Sequence, residues 1–338
     1  MERRHHGGYT ALLAFILIFC HSKMISKQYA VFCSLLIVIT YCVYYQFACN
    51  SLIGEGPQVY KELDQLHLEH LSGKPLIPPF IDLDRPYAIA PAHNLSICCI
   101  NKSMSTLMRG IACALYDTEE FMKRNRSIVE NYVGRFCEKK NELHEMSAVE
   151  KKMDGREFTK IAAVRDPIDR FISFFADKCV YGAGWRPDDR CYNCANNVTC
   201  FLERQYSRFL EYAFSDNVSL EQTIEDTHCA PLSWNCEFGK YWKDYKILKF
   251  SADPKKNRKG GIEELSDILR DHKVANSTID FIEKSALKGK TKHVTYNTGV
   301  HADLMRQIET DKTIREWLRK IYYYDYVLFD FDSTIIDN

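Results

Sequence analysis

Between residues 92 and 261 the apolar positions of this chain change period several times, and each change predicts the boundary of an element. Leu95–Ile100 (LSICCI) is a short apolar run suited to a buried strand, and the segment after it carries Leu107, Met108, Ile111, Ala112 and Leu115 on one helical face. The order recurs at Phe158–Val164 (FTKIAAV), a second buried strand. There Asp166 is placed to cap a helix with Pro167 in its first turn, and Ile168, Phe171, Ile172 and Phe175 follow at helical spacing. Tyr245–Phe250 (YKILKF) is a third apolar run, and a helix-like segment begins near Gly261. Strands that alternate with helices predict an α/β fold, a parallel sheet flanked by helices.

Before residue 92 the pattern is different. Tyr9–Cys20 is short for a bilayer span, whereas Tyr29–Cys49 runs for 21 residues without a charge, about what a helix needs to cross a hydrocarbon core. Arg3, Arg4, Lys23 and Lys27 precede that run, and the next basic residue is Lys61. The positive-inside rule then puts residues 1–28 in the cytosol, makes 29–49 a transmembrane signal-anchor and leaves the bulk of the chain in a lumen. A signal peptide is the alternative, although no clear small-residue cleavage site follows the run. Residues 50–91 contain Gly54, Gly56, Pro57, Gly73, Pro75, Pro78, Pro79, Pro86 and Pro91, a punctuated stretch that reads as a lumenal stem. Residues 92–338 are the expected lumenal domain.

Composition narrows the function classes. A chain of 338 residues with 46% hydrophobic and 13% aromatic content can bury a substantial core. Its 45 basic and 45 acidic side chains cancel, so a general attraction to nucleic acid is not supported and any anion binding is local. Six Asn-x-Ser/Thr sequons follow residue 90, at Asn94, Asn101, Asn125, Asn197, Asn217 and Asn276, together with ten of the fourteen cysteines. Both agree with a lumenal destination. The run Cys191, Cys194 and Cys200, with Cys179 before it and Cys229 and Cys236 after, is open to two readings, a zinc site or disulfides, and an oxidising lumen favours disulfides. Spacing does not give the pairing.

Parallel sheets bind ligands at the carboxyl ends of their strands, where loops and helix N-termini present N–H groups to anions. Asn101–Thr106 (NKSMST) follows the first strand and offers Lys102 as a point charge, with hydroxyl donors at Ser103, Ser105 and Thr106. It lacks the glycines of a Walker loop, so hydrolysis of a nucleoside triphosphate is not indicated. Arg165 closes the second strand, and Arg170 and Ser173 follow on the helix, on the side away from its apolar face. A guanidinium and a hydroxyl there make a second anion site, unless Arg165 is consumed by an ion pair with Asp166 or Asp169. Sites on successive strand ends suit a ligand with anionic groups at both ends.

These residues carry a resemblance. NKSMSTLMRGI and VRDPIDRFISFF resemble the two cofactor loops of the Golgi carbohydrate sulfotransferases, the group with the chondroitin 4-O and HNK-1 enzymes and their nematode relatives. The resemblance implies that the loop Lys102, Ser103, Met104, Ser105 and Thr106 binds the 5′-phosphosulfate of PAPS (3′-phosphoadenylyl sulfate), and that Arg165, Arg170 and Ser173 bind its 3′-phosphate. Asn101 replaces the usual proline before the lysine, and Met104 stands where close backbone approach favours glycine. Weaker likeness continues through Asp226–Tyr241 (DTHCAPLSWNCEFGKY) and the closing YYYDYVLFDF. The implied fold is the P-loop-like parallel sheet of the PAPS-dependent sulfotransferases, behind a transmembrane helix. The implied activity is sulfuryl transfer to a sugar hydroxyl, with Lys102 stabilising the departing phosphate, His228 as candidate base and no metal.

The expected acceptor is a glycosaminoglycan, first of all chondroitin at a GalNAc 4-hydroxyl. The alternatives are heparan sulfate, a terminal glucuronic acid, or a glycan-binding relative with weak catalysis. A glycan on Asn101 would block a pocket lined by Lys102, so Asn101 is expected to be unmodified. A further motif, Asp330-x-Asp332-x-Thr334 behind an apolar run, matches the start of haloacid-dehalogenase phosphatases. In those enzymes it opens the domain, and here it is expected to be coincidental.

Overall fold

The computed structural model describes residues 74–337, apart from 84–85, 130–133, 183–189, 215–220, 252–257 and 289–297. These residues belong to a compact unit spanning Gly73–Asn338. The predicted anchor at 29–49 lies outside the described residues, and among those described no helix is long and apolar enough to cross a membrane.

Five strands form one sheet in the order β3-β1-β2-β4-β5, with β1 at Tyr87–Ala90, β2 at Leu95–Cys98, β3 at Glu142–Leu143, β4 at Thr159–Val164 and β5 at Tyr245–Lys249. The predicted runs at 95–100, 158–164 and 245–250 are β2, β4 and β5, and they pair in parallel, Leu95 opposite Thr159 and Lys160 opposite Tyr245. The sheet as a whole is mixed, which corrects the expectation of a parallel one. β1 runs antiparallel to both β2 and β3. Its link to β2 is only Pro91–Asn94, far shorter than the dozen or so residues a parallel crossover needs. Asn94, at φ 51°, turns the chain back. β1 also lies inside the range read as stem: Pro86 and Pro91 bound a strand there, and Ile77, Leu83 and Tyr87–Ala90 are buried.

Among the described residues the helices are α1 (Ser105–Tyr116), α2 (Thr118–Lys123), α3 (Met146–Met153), α4 (Pro167–Phe174), α5 (Val198–Phe214), α6 (Ile224–Cys229), α7 (Phe238–Tyr241), α8 (Arg258–Asp271), α9 (Asn276–Lys288), α10 (Gly299–Thr310), α11 (Lys312–Phe329) and α12 (Thr334–Asp337). Alternation along β4 separates two cores. Ile161 and Ala163 pack with Leu107, Met108 and Ile111 of α1 and Leu265 of α8, whereas Ala162 and Val164 pack with Val149 of α3, Phe238 and Phe329. A third core lies among helices, where Ile168, Phe171 and Phe175 meet Phe201, Leu304 and Leu318.

Disulfides take most of the described cysteines: Cys98–Cys236, Cys113–Cys137, Cys179–Cys191 and Cys194–Cys200. Of the cysteines read as zinc site or disulfides, Cys229 remains a buried thiol, in contact with the Tyr322 hydroxyl at 3.1 Å. The Asp330 motif follows a helix, α11, and Asp330 is its left-handed C-cap. The phosphatase motif needs a strand there.

Candidate active site

β2 and β4 are hydrogen-bonded neighbours running in parallel, so their carboxyl ends, and the two hinges that follow, lie side by side. At the first hinge Lys102 and Met104 have left-handed backbones, φ 63° and 61°. Met104 is the N-cap of α1 and supplies no side-chain hydrogen bond. It occupies the region of backbone space that glycine enters without penalty, and it leaves the first-turn N–H groups of α1, from Ser105 onward, without a side-chain cap. Ser103 is buried, and its hydroxyl has no hydrogen-bond partner among the described residues.

The second hinge begins as its sequence predicts. The Asp166 side chain accepts from Asp169 N at 2.9 Å and caps α4, with Pro167 in the first turn. Burial pushes the Asp166 carboxyl up to about 6. Arg165 is 4% exposed. Its nearest carboxylate, Asp169, is 3.8 Å from Nη2, too far for a hydrogen bond, and Nε and Nη2 have no hydrogen-bond partner among the described residues. A buried guanidinium with unfilled donors is costly unless something supplies acceptors. The ion-pair alternative therefore leaves it unsatisfied, and an oxyanion meets the need.

Arg170 and Ser173 are buried as well, as is every residue of α4 except Asp169. Arg170 donates from Nε to Asn101 O at 2.9 Å and from Nη1 to Ala230 O at 2.6 Å. It clamps the first hinge to the chain after α6. Asn101 completes the clamp by donating from Nδ2 to Thr227 O at 3.0 Å. That nitrogen is the atom an N-glycan would occupy, so intact-glycopeptide mass spectrometry should find Asn101 bare, while Asn125, Asn197 and Asn276 are exposed. Occupied Asn101 in active protein would remove Lys102 from the site.

The same contacts bring His228 next to the first hinge. Its Nδ1 lies 2.8 Å from Ile224 O. A carbonyl only accepts, so Nδ1 carries the proton and Nε2 the basic lone pair. Phe174 packs against the ring at 6.3 Å between centroids. The two weaker resembling segments also meet, since Leu232 N and Ser233 N donate to Asp325 at 2.5 and 3.0 Å, and Tyr322 donates to Cys229 O at 2.6 Å. Asp325 and Tyr322, from the closing segment, thus hold the backbone that follows His228.

Lys102 forms an ion pair with Asp177, a residue the sequence reading did not single out. Burial lowers the pKa of the Lys102 ammonium, and Asp177 pulls it the other way. Asp177 lies on a π-helical turn, Phe175–Val180, that continues α4. A signal existed, because Asp177 is four residues beyond Ser173 and shares its face. A cleft of about 590 Å³ opens beside the second hinge, but Asp166, Asp169, Glu309 and Asp332 line it. Lys249 lines it as well, so the cleft carries both signs of charge with carboxylates in excess.

The pattern that defines the sulfotransferase family matches residues 85–332. The chain belongs to that family. Carbohydrate sulfotransferase chst-1 of Caenorhabditis elegans is 52% identical over 329 residues, covering 92% of this chain and 99% of its own. The uncharacterised protein C18B2.2 of the same worm is 29% identical over 262 residues, covering 75% of this chain and 71% of its own. No solved structure matches the chain. This sulfotransferase is therefore a group-transfer enzyme, and sulfotransferases generally take the sulfuryl group from PAPS. Its residues fit such a donor: Arg165 has buried donors to fill, Ser103 has a buried hydroxyl, and α1 has an uncapped N-terminus.

Proposed function

We propose that the protein is a PAPS-dependent carbohydrate O-sulfotransferase, acting on a glycosaminoglycan and first of all on chondroitin at a GalNAc 4-hydroxyl. The observation that carries the donor half is the buried guanidinium edge of Arg165 beside the Lys102 hinge, whose Nε and Nη2 have no hydrogen-bond partner among the described residues. The carbohydrate half is supported by the name and coverage of the chst-1 relative.

In this reading Arg165, Arg170 and Ser173 hold the 3′-phosphate of the donor, Arg170 through its unfilled Nη2, while its Nε and Nη1 brace the loop that presents Lys102. Lys102, Ser103, Ser105 and Thr106 surround the 5′-phosphosulfate, with the Met104 backbone opening α1 toward it. PAPS supplies an activated sulfuryl group. The acceptor oxygen forms its bond to sulfur as the bond from sulfur to the bridging oxygen breaks, and the hydroxyl proton passes to His228 Nε2. Lys102 stabilises the negative charge that collects on the departing phosphate. A single-pass type II Golgi protein with this domain in the lumen completes the reading, supported by the charge-free run at 29–49 and by four disulfides among the described residues.

Transfer of radiolabelled sulfate from PAPS should be observed with desulfated chondroitin. Preference for dermatan or heparan chains, or for a terminal glucuronic acid, would change the acceptor. Absence of transfer to every chain, with PAPS still bound, would favour a glycan-binding relative. Met104 is the residue that gives that second reading weight, since a side chain occupies a left-handed position beside the donor loop.

A further inference from the structure

Lys102 and Asp177 are both largely shielded from water, with side chains 12% and 7% exposed. An ion pair in such surroundings attracts more strongly than one at the surface. A donor phosphate arriving at Lys102 thus meets a competitor of its own sign, and an uncompensated carboxylate in contact with the lysine would oppose the charge that builds up during transfer. The structure contains a second cation for that carboxylate. Lys178 Nζ lies 3.4 Å from Asp177 Oδ2, the same oxygen that Lys102 engages. Both Asp177 and Lys178 lie on the π-helical turn, a geometry that is rare and concentrated at functional sites.

We propose that Asp177 is a positioning residue for Lys102: it holds the lysine while the donor site is empty, and Lys178 keeps Asp177 neutralised when Lys102 turns to the donor's phosphate. The inference rests on the donor reading above, in which Lys102 meets the 5′ end of the nucleotide. The exchange works in both directions. On product departure Asp177 takes Lys102 back and so hastens release of the spent nucleotide.

The probe is 3′-phosphoadenosine 5′-phosphate, titrated calorimetrically into the full chain. Asp177→Asn removes the competitor and should tighten binding by about tenfold, the worth of roughly one charge-assisted hydrogen bond. Lys178→Ala removes one of the two cations held at Asp177 Oδ2 and should weaken binding by a similar factor. Its side chain is more exposed than that of Asp177, 18% against 7%, so this variant keeps the question answerable if Asp177→Asn does not fold. In a Lys102→Ala background the Asp177→Asn effect should vanish.

Unchanged affinity in both single variants, with Arg165→Ala still weakening it, overturns the proposal and leaves the donor reading intact. No nucleotide binding by the unmodified protein removes both. Unchanged affinity with abolished turnover in Asp177→Asn makes Asp177 the base, in place of His228, and likewise overturns the proposal.

Discussion

Lys102→Ala should lower kcat for sulfate transfer by about 10²–10³-fold, the loss typical when one preorganised donor to a developing charge is removed, about 2.7–4 kcal/mol. The expectation follows from where the charge goes. As the acceptor oxygen approaches sulfur, negative charge moves to the bridging oxygen of the departing phosphate, and in the proposed reading Lys102 is the cation at the hinge that receives the 5′ end. The site is mostly closed to water, so solvent does little to replace it. Removing Lys102 also takes one cation from Asp177, which keeps its contact with Lys178. Some loss of donor affinity should therefore accompany the loss of turnover. Lys102→Arg, which keeps a cation able to pair with Asp177, separates chemistry from folding: it should restore stability more fully than kcat, because a forked guanidinium does not place its charge where an ammonium does. Steady-state kinetics with donor and acceptor varied separately check the assignment. A change confined to the acceptor KM would remove Lys102 from the leaving-group role.

Much of the sheet was legible because β2, β4 and β5 are short apolar runs, and the start of α4 was legible because Asp166 and Pro167 are a capping residue and a first-turn residue in the right order. β1 was hidden by the prolines at 86 and 91. They limit the strand without interrupting it, yet in the sequence they look the same as those of a linker. The antiparallel edge was lost with it, since only the short link to β2 reveals the direction. Both hinges could be found from residue type and position. The partners of their side chains could not, because Lys102 meets Asp177 across 75 positions and Arg170 meets Ala230 across 60. The sequence assigned Arg170 and Ser173 to an outward face. They are buried because α4 packs among α6, α10 and α11, a tertiary fact with no local signal.

Arg165→Ala should weaken binding of 3′-phosphoadenosine 5′-phosphate by about 10–100-fold, since each charge-assisted hydrogen bond to a phosphate is worth roughly 1.5–3 kcal/mol. The same variant should cost the empty protein little thermal stability. Arg165 is a buried cation whose Nε and Nη2 have no hydrogen-bond partner among the described residues, and removing an unsatisfied charge relieves desolvation as much as it loses packing. Arg170→Ala gives the contrast. Its guanidinium bonds two backbone carbonyls, Asn101 O and Ala230 O, so truncation strips buried acceptors of their donor and should lower the melting temperature sharply. If Arg165→Ala lowers it as much as Arg170→Ala and leaves nucleotide affinity unchanged by calorimetry, Arg165 is architectural and the 3′-phosphate is elsewhere. Arg165→Lys should recover only part of the affinity, because a single ammonium cannot fill the positions of Nε and Nη2 together.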